Sequence, residues 1–433
     1  MTDSVPEKLS PHHSKRSITS WCLYDWANSA FSTVIITFVF SVFFTRGIVG
    51  DETYGAVLWS YAIGLSGLFI ALLAPLMGAV ADHSGHRKTW IFCLSWLCIV
   101  ATSLLWFAQP HSSFANIMFV LTLVILANIG FELAQVFYNA MLAHIAPSHL
   151  MGRISGWGWA AGYIGGLCAL ALALFGLVGF GDVEPFLPIS GADSANLRAT
   201  GPMTALWFLI FMLPLLWFTR DMEHAPLPFA KAFKTGATQI WHMLRDIKSH
   251  KNIALFLVAS AIYRDGLVTL FAIGGVYAAG QYGMDFAEIL IFAIGLNVFS
   301  GLGAFVFGWL DDYLGSKPTI MISLMGLIAF GVSVLFVHDQ SMFTMLAFGM
   351  GFFIGPVQAA SRTLAGRLAP HGMITQTYGL YAFTGKSIAF MGPVAYGLAT
   401  QAFGTQQAGM MSIVLFWVVG LALLAWVREG ADD

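Results

Sequence analysis

Charge is scarce in this chain, and that scarcity says which solvent surrounds it. Only 10% of the 433 residues are Asp, Glu, Lys or Arg, against 58% hydrophobic residues, 15% aromatic residues and a mean hydropathy of +0.76. A water-soluble domain carries about 25% charged residues, so most of this surface is expected to face lipid. The net charge of -2 lacks the basic excess that would point to nucleic acid. Cysteine is equally thin: Cys22, Cys93, Cys98 and Cys168 fall within or beside apolar runs, with no C-x-x-C and no Cys/His cluster. They read as small packing residues, and no metal site is expected. Also missing are a Gly-x-Ser-x-Gly elbow, a phosphate loop and any His/Cys/Glu metal spacing. The sequence therefore predicts no enzyme, no catalytic residue and no cofactor.

Long apolar runs are what the chain has in abundance. A spanning helix needs about 20 mostly apolar residues, and twelve such runs lie near 18–45, 54–80, 89–108, 113–144, 153–178, 199–219, 252–279, 285–310, 318–338, 341–367, 375–403 and 407–427. Residues 1–17 are polar, and the run from Ile18 is too long for a cleavable signal and holds Asp25. The first helix is thus expected to stay as an anchor. The fold class that follows is an all-α integral membrane protein with twelve transmembrane helices in two six-helix bundles. Its predicted division is a tail 1–17, a bundle 18–219, a linker 220–251, a bundle 252–427 and a tail 428–433.

Two echoes within the sequence support the division into halves. Gly-x-x-x-Asp-x-x-Gly-x-[Arg/Lys] occurs as Gly78, Asp82, Gly85, Arg87 and again as Gly308, Asp312, Gly315, Lys317, each after a long apolar run. Pro147, Gly156 and Gly162 share their spacing with Pro370, Gly379 and Gly385. Repeats of this kind in a polytopic membrane protein point to a transporter. With both termini in the cytoplasm, fifteen of the twenty Lys and Arg fall on cytoplasmic segments and only Arg46 and Arg198 lie outside. That asymmetry sets the expected orientation. In the linker, Phe229, Phe233, Ile240, Trp241, Leu244 and Ile247 recur at helical spacing beside Lys231, Lys234, Arg245 and Lys248, which predicts an amphipathic helix on the inner leaflet.

Six ionisable residues fall within the runs: Asp25, Glu132, Arg264, Asp265, Arg362 and Lys386. Each costs roughly 2.5–3.5 kcal/mol at a helix centre, or about 15–20 kcal/mol together. A typical net folding stability is only about 5–15 kcal/mol, so these groups must be paired, hydrated or near the membrane edge. Asp25, Asn28, Ser29 and Ser32 form a stripe on the first helix, and Asn128, Glu132, Gln135 and Asn139 form one on the fourth. Both are expected to line a wet cavity between the halves. Adjacent Arg264 and Asp265 lie about 100° apart on a helix, so one of them is expected to pair across to another helix. Arg362 shares a face of the tenth helix with Gln358 and is the weakest site candidate, because a long side chain near the cytoplasmic end can snorkel. Lys386 follows Gly385 midway along the eleventh. The predicted solute or proton path is Asp25, Asn28, Glu132, Gln135, Asn139, Arg264, Asp265, Arg362 and Lys386.

Glycines at four-residue spacing, Gly158, Gly162 and Gly166, then Gly351 and Gly355, read as close-packing seams along which bundles could rock. The doubled loop, Gly78, Asp82, Gly85, Arg87 and Lys88 with Gly308, Asp312, Gly315 and Lys317, reads as a gating latch. Its aspartates suit a cation or a helix start, and its basic groups suit lipid phosphate or a facing carboxylate.

Those loops resemble the signature between helices two and three, and eight and nine, of the major facilitator superfamily. His83 and His86 stand where that signature often has Arg, which implies a weaker or pH-sensitive latch. Within the superfamily, Tyr24–Phe31 (YDWANSAF), Arg153–Gly166 (RISGWGWAAGYIGG), Asp265-Gly266 and Gly379–Pro393 (GLYAFTGKSIAFMGP) are similar to the vacuole-effluxer-like branch, related to a fungal vacuolar amino-acid exporter. The resemblance implies two six-helix bundles, alternating access and amino-acid efflux. The expected protein is a monomeric secondary transporter in a bacterial inner membrane, in contact with lipids. Its expected cargo is a small polar or zwitterionic solute, with protons as coupling ion. Export of amphipathic drug-like or lysolipid compounds is the alternative, motivated by 37 Phe and 19 Met, and a non-transporting sensor the third reading.

Overall fold

The computed structural model describes residues 14–429 apart from 112, 180–182, 188, 190, 222–230, 237 and 239–249. The apolar runs become α1 (Lys15–Val49), α2 (Glu52–Ser84), α3 (Arg87–Phe107), α4 (Phe114–Ile145), α5 (Ser148–Val178) and α6 (Ala192–Phe218). The second set is α7 (Lys251–Tyr282), α8 (Phe286–Leu314), α9 (Ser316–Val334), α10 (Gln340–Arg367), α11 and α12 (Gln406–Ala425). Starts follow side-chain capping: Ser14, Asp51, Ser113, Asp339 and Thr405 each accept a first-turn N–H, and Asp285 forms a capping box with Glu288.

Eleven of the twelve runs are single helices long and apolar enough to cross a membrane. The exception is α11, which breaks into Ile374–Ile388 and Met391–Phe403. Pro393 accounts for the break, since it brings no N–H to the carbonyl four residues back and its ring crowds that carbonyl. In α1 the helix widens to π-helical turns over Phe31–Phe38, beginning at the last turn of the polar stripe.

Packing repeats with an offset of six helices. Against α1 lie α5 and α6, as α11 and α12 lie against α7; α4 packs on α2 and α3 as α10 does on α8 and α9. The two sets meet where α2 crosses α11 and α5 crosses α8. At those crossings backbones nearly touch: a Cβ on Gly156 would sit 2.4 Å from the Ala304 carbonyl oxygen, and one on Gly379 would sit 2.4 Å from that of Ala74. The seam of Gly158, Gly162 and Gly166 is the close-packing surface expected, but it does not run along the junction of the two sets. It faces Asp25, Ser29 and Thr33 of α1, inside one set of helices, and Gly351 and Gly355 face α8 in the same way. Outward, Leu72, Leu206, Leu398 and Leu415 are more than half exposed, an apolar belt suited to lipid. Of the expected amphipathic helix, residues 231–236 are helical, with Phe233 exposed and Ala232 buried. Phe229, Ile240, Trp241, Leu244 and Ile247 lie outside the described residues.

Candidate functional site

Between the two sets of helices lies a cavity of about 330 Å³, and all nine residues of the predicted path line it. Asp25 and Asn28 come from α1, Glu132, Gln135 and Asn139 from α4, Arg264 and Asp265 from α7, Arg362 from α10 and Lys386 from α11. Helical periodicity is what aims each group inward. Ser29, Ser32 and Gln358 also line it, and so do four aromatic residues that the polar stripes did not reveal, Phe131, Trp159, Tyr378 and Tyr381. Asn128 departs from its stripe: its amide donates to Ser66 Oγ at 2.7 Å, buried between α4 and α2.

Four of the six charges form two ion pairs, each joining the first half to the second. Arg362 donates to Asp25 at 2.8 Å, and Lys386 donates to Glu132 at 2.6 Å. The pairs differ in depth. Side-chain exposure is 4% and 10% for Arg362 and Asp25, but 30% and 26% for Lys386 and Glu132. Asp25 and Arg362 lie nearer the helix ends that carry the doubled loops, so the cavity residues are more deeply buried towards that end and more exposed towards the opposite one. This corrects the expectation for Arg362. Its guanidinium does not snorkel: it is held by Asp25, Ser155 and Asn139, under the rings of Trp21, Tyr138 and Trp159 at 4.6–5.8 Å. Ser155, on α5, thus helps form the floor.

Arg264 and Asp265 are different again. Contrary to expectation, neither makes an ion pair among the described residues. Arg264 stacks on Tyr381 at 3.9 Å from the ring centre and reaches that residue's carbonyl at 3.4 Å. Asp265 accepts the N–H of Gly392, in the first turn after the α11 break, at 2.8 Å.

The doubled loops seal the closed end in matching ways. Asp82 accepts the N–H groups of Thr375 (3.0 Å) and Gln376 (2.8 Å) at the start of α11, and also Arg87 at 2.7 Å. Asp312 accepts those of Gly152 (2.9 Å) and Arg153 (3.1 Å) near the start of α5, with the Arg153 guanidinium 3.3 Å away. Each aspartate thus sits on the positive end of a helix from the other half. Gly78 and Gly308 permit the close approach, and Gly85 and Gly315 turn the chain at positive φ.

Arg87 meets a carboxylate as expected, but the lysines act otherwise. Lys88 binds the carbonyls of Leu216 and Thr219 at the end of α6, and Lys317 those of Ala425 and Val427 at the end of α12. Lys88 is therefore the structural counterpart of Lys317, one residue off the spacing match with Arg87. Two acids missed from sequence complete the pattern: Asp221 accepts the N–H of Lys88, and Glu429 accepts those of Ser316 and Lys317. Both stand just past the sixth and twelfth apolar runs, a repeat that was there to be read. Burial pushes the Asp221 carboxyl above the usual range.

Two pseudo-equivalent sets of membrane helices around a charged central cavity define a transporter fold of the major facilitator kind. The proton:xylose symporter XylE bound to 6-bromo-6-deoxy-D-glucose superposes with a TM-score of 0.72 over 96% of this chain and 97% of its own, at 13% identity, a likeness of fold alone. Residues 47–430 match the family described as "Vacuole effluxer Atg22 like", and the chain belongs to that family. It is 26% identical over 416 residues, 95% of this chain and 94% of the relative, to an uncharacterized MFS-type transporter, YxiO, of Bacillus subtilis. It is also 26% identical over 308 residues to autophagy-related protein 22-1 of Aspergillus fumigatus, where the match takes in 65% of this chain and 49%, about half, of the fungal protein.

Proposed function

We propose that the protein exports a small zwitterionic solute, amino acids being the leading class, by alternating access of the central cavity. The doubled-loop end is the cytoplasmic one, following the Lys and Arg distribution, and the chain acts as a monomer in a bacterial plasma membrane. The observation that carries the reading is Arg264, a cavity cation with no carboxylate partner among the described residues. A guanidinium with its face on an aromatic ring keeps its edge donors for a carboxylate. Asn28 Nδ2, buried and without an acceptor among the described residues, is a second donor, contributed to the cavity lining by the other half. Glu132, the more exposed of the ion-paired acids, is placed to share its charge with an ammonium group. Asp82 and Asp312, by leaving the starts of α11 and α5, would open the cytoplasmic end.

Uptake of a panel of labelled amino acids into proteoliposomes tests this. At least one is transported by the wild type, and Arg264→Ala lowers that transport by about tenfold or more, as loss of a charge-assisted hydrogen bond of roughly 1.5–3 kcal/mol requires. Absence of flux across the panel would contradict the amino-acid assignment.

A further inference from the structure

Asp25 and Glu132 each hold a cation of the opposite half, so protonating either leaves Arg362 or Lys386 without its counter-charge. Asp265 carries no such obligation. Its residue is 3% exposed, it borders the cavity, and Oδ1 is buried with no hydrogen-bond partner among the described residues. The surroundings are almost free of charge. Arg264, the preceding residue, is turned onto Tyr381, Lys386 of α11 is taken by Glu132, and Arg362 of α10 by Asp25. From α10, Ser361 is bonded to Tyr263, and from α12, Trp417 stands against Gly266. Tyr396 lies one turn beyond Gly392. A neutral acid is thus better suited to this place than an anion.

The carboxylate is also joined to the backbone where α11 is broken. Oδ2 takes the Gly392 N–H, and the fit admits nothing larger: a Cβ on Gly392 would fall 2.0 Å from Thr269 Oγ1 and 3.3 Å from Asp265 Cγ. Pro393 leaves the Ala389 carbonyl without its helical donor. The break thus supplies a donor to the charged acid.

We infer that Asp265 is the proton-binding site of the transport cycle, its occupancy read by the outer segment of α11 through Gly392. This rests on the transporter reading above. A proton from the cavity water binds Oδ1 and returns to water on the other side; no other bond forms or breaks. Neutralisation weakens the hold on Gly392 and frees Met391–Phe403 to move about the break.

Infrared difference spectra of the purified, solute-free protein between acid and alkaline buffer test the assignment. A high-frequency component of the protonated-carboxyl band, that of an acid shielded from water, should appear at acid pH in the wild type and in Glu132→Gln, over the band of the surface acids, and be lost in Asp265→Asn. Asparagine still offers an oxygen to Gly392, so this variant should fold. Absence of that component in the wild type, or its persistence in Asp265→Asn, would overturn the proposal. In otherwise wild-type protein, spin labels at Tyr61 and Phe403, both exposed, should shift in separation with pH; an unchanged distance removes the link to α11. Neither readout uses a solute, so the amino-acid panel can fail while this assignment holds.

Discussion

At the scale of single residues, the two cross-half ion pairs look alike in sequence and differ in consequence. Asp25–Arg362 is almost fully desolvated, and Glu132–Lys386 is about one quarter exposed. Removing one partner of a buried pair leaves an uncompensated charge at about 3–5 kcal/mol, whereas a solvated pair contributes about 0–1 kcal/mol. Asp25→Leu should therefore lower the unfolding temperature in detergent far more than Glu132→Gln. The double variant Asp25→Leu/Arg362→Met should recover much of that loss, because apolar replacement of both partners removes the desolvation cost as well. Equal shifts for the two single variants would show that the depth difference does not matter. Which acid meets which base was not legible from sequence. Periodicity fixes the direction of a side chain around its own helix, but a partner some 337 residues away depends on how the helices are set against each other.

At the scale of elements, the closed end rests on two aspartates seated on helix starts. A helix-start acceptor is worth about 1 kcal/mol, so Asp82→Ala with Asp312→Ala should shift the balance between closed and open cytoplasmic ends by about 2 kcal/mol, roughly 30-fold. Spin labels at the exposed, pseudo-equivalent Ser148 and His371 would report this as a longer separation. An unaltered distance distribution would mean that the loops do not hold the end shut. The doubling itself was readable, since two copies of one pattern end equivalent helices. The register was not: whether Arg87 or Lys88 matches Lys317 depends on where the turn ends and the helix begins. The α11 break left only Pro393 as a trace, and a proline in an apolar run is equally compatible with the unbroken α2, α6 and α10, which contain Pro75, Pro214 and Pro356.

At the scale of the whole molecule, an apolar chain with six costly charges had one economical solution, which was to turn them onto a shared wet space. That cost argument is why the polar stripes of α1 and α4 could be assigned to a shared cavity from sequence, while the inward turn of Arg362 could not, nor could Trp159 and Tyr381: aromatic residues are as much at home in lipid or core as in a cavity. What the fold adds is a cavity shut at one end by the latches and Arg362, and more solvated at the other. The most direct measurement is therefore two-sided accessibility of a residue on the cavity wall. With Cys22, Cys93, Cys98 and Cys168 replaced, Gln135→Cys in proteoliposomes should react with an impermeant thiol reagent applied from either side alone, and reaction from the doubled-loop side should slow when the opposite-facing conformation is trapped. Reaction from one side only under every condition, or from neither, would contradict a cavity opened in turn to both faces of the membrane.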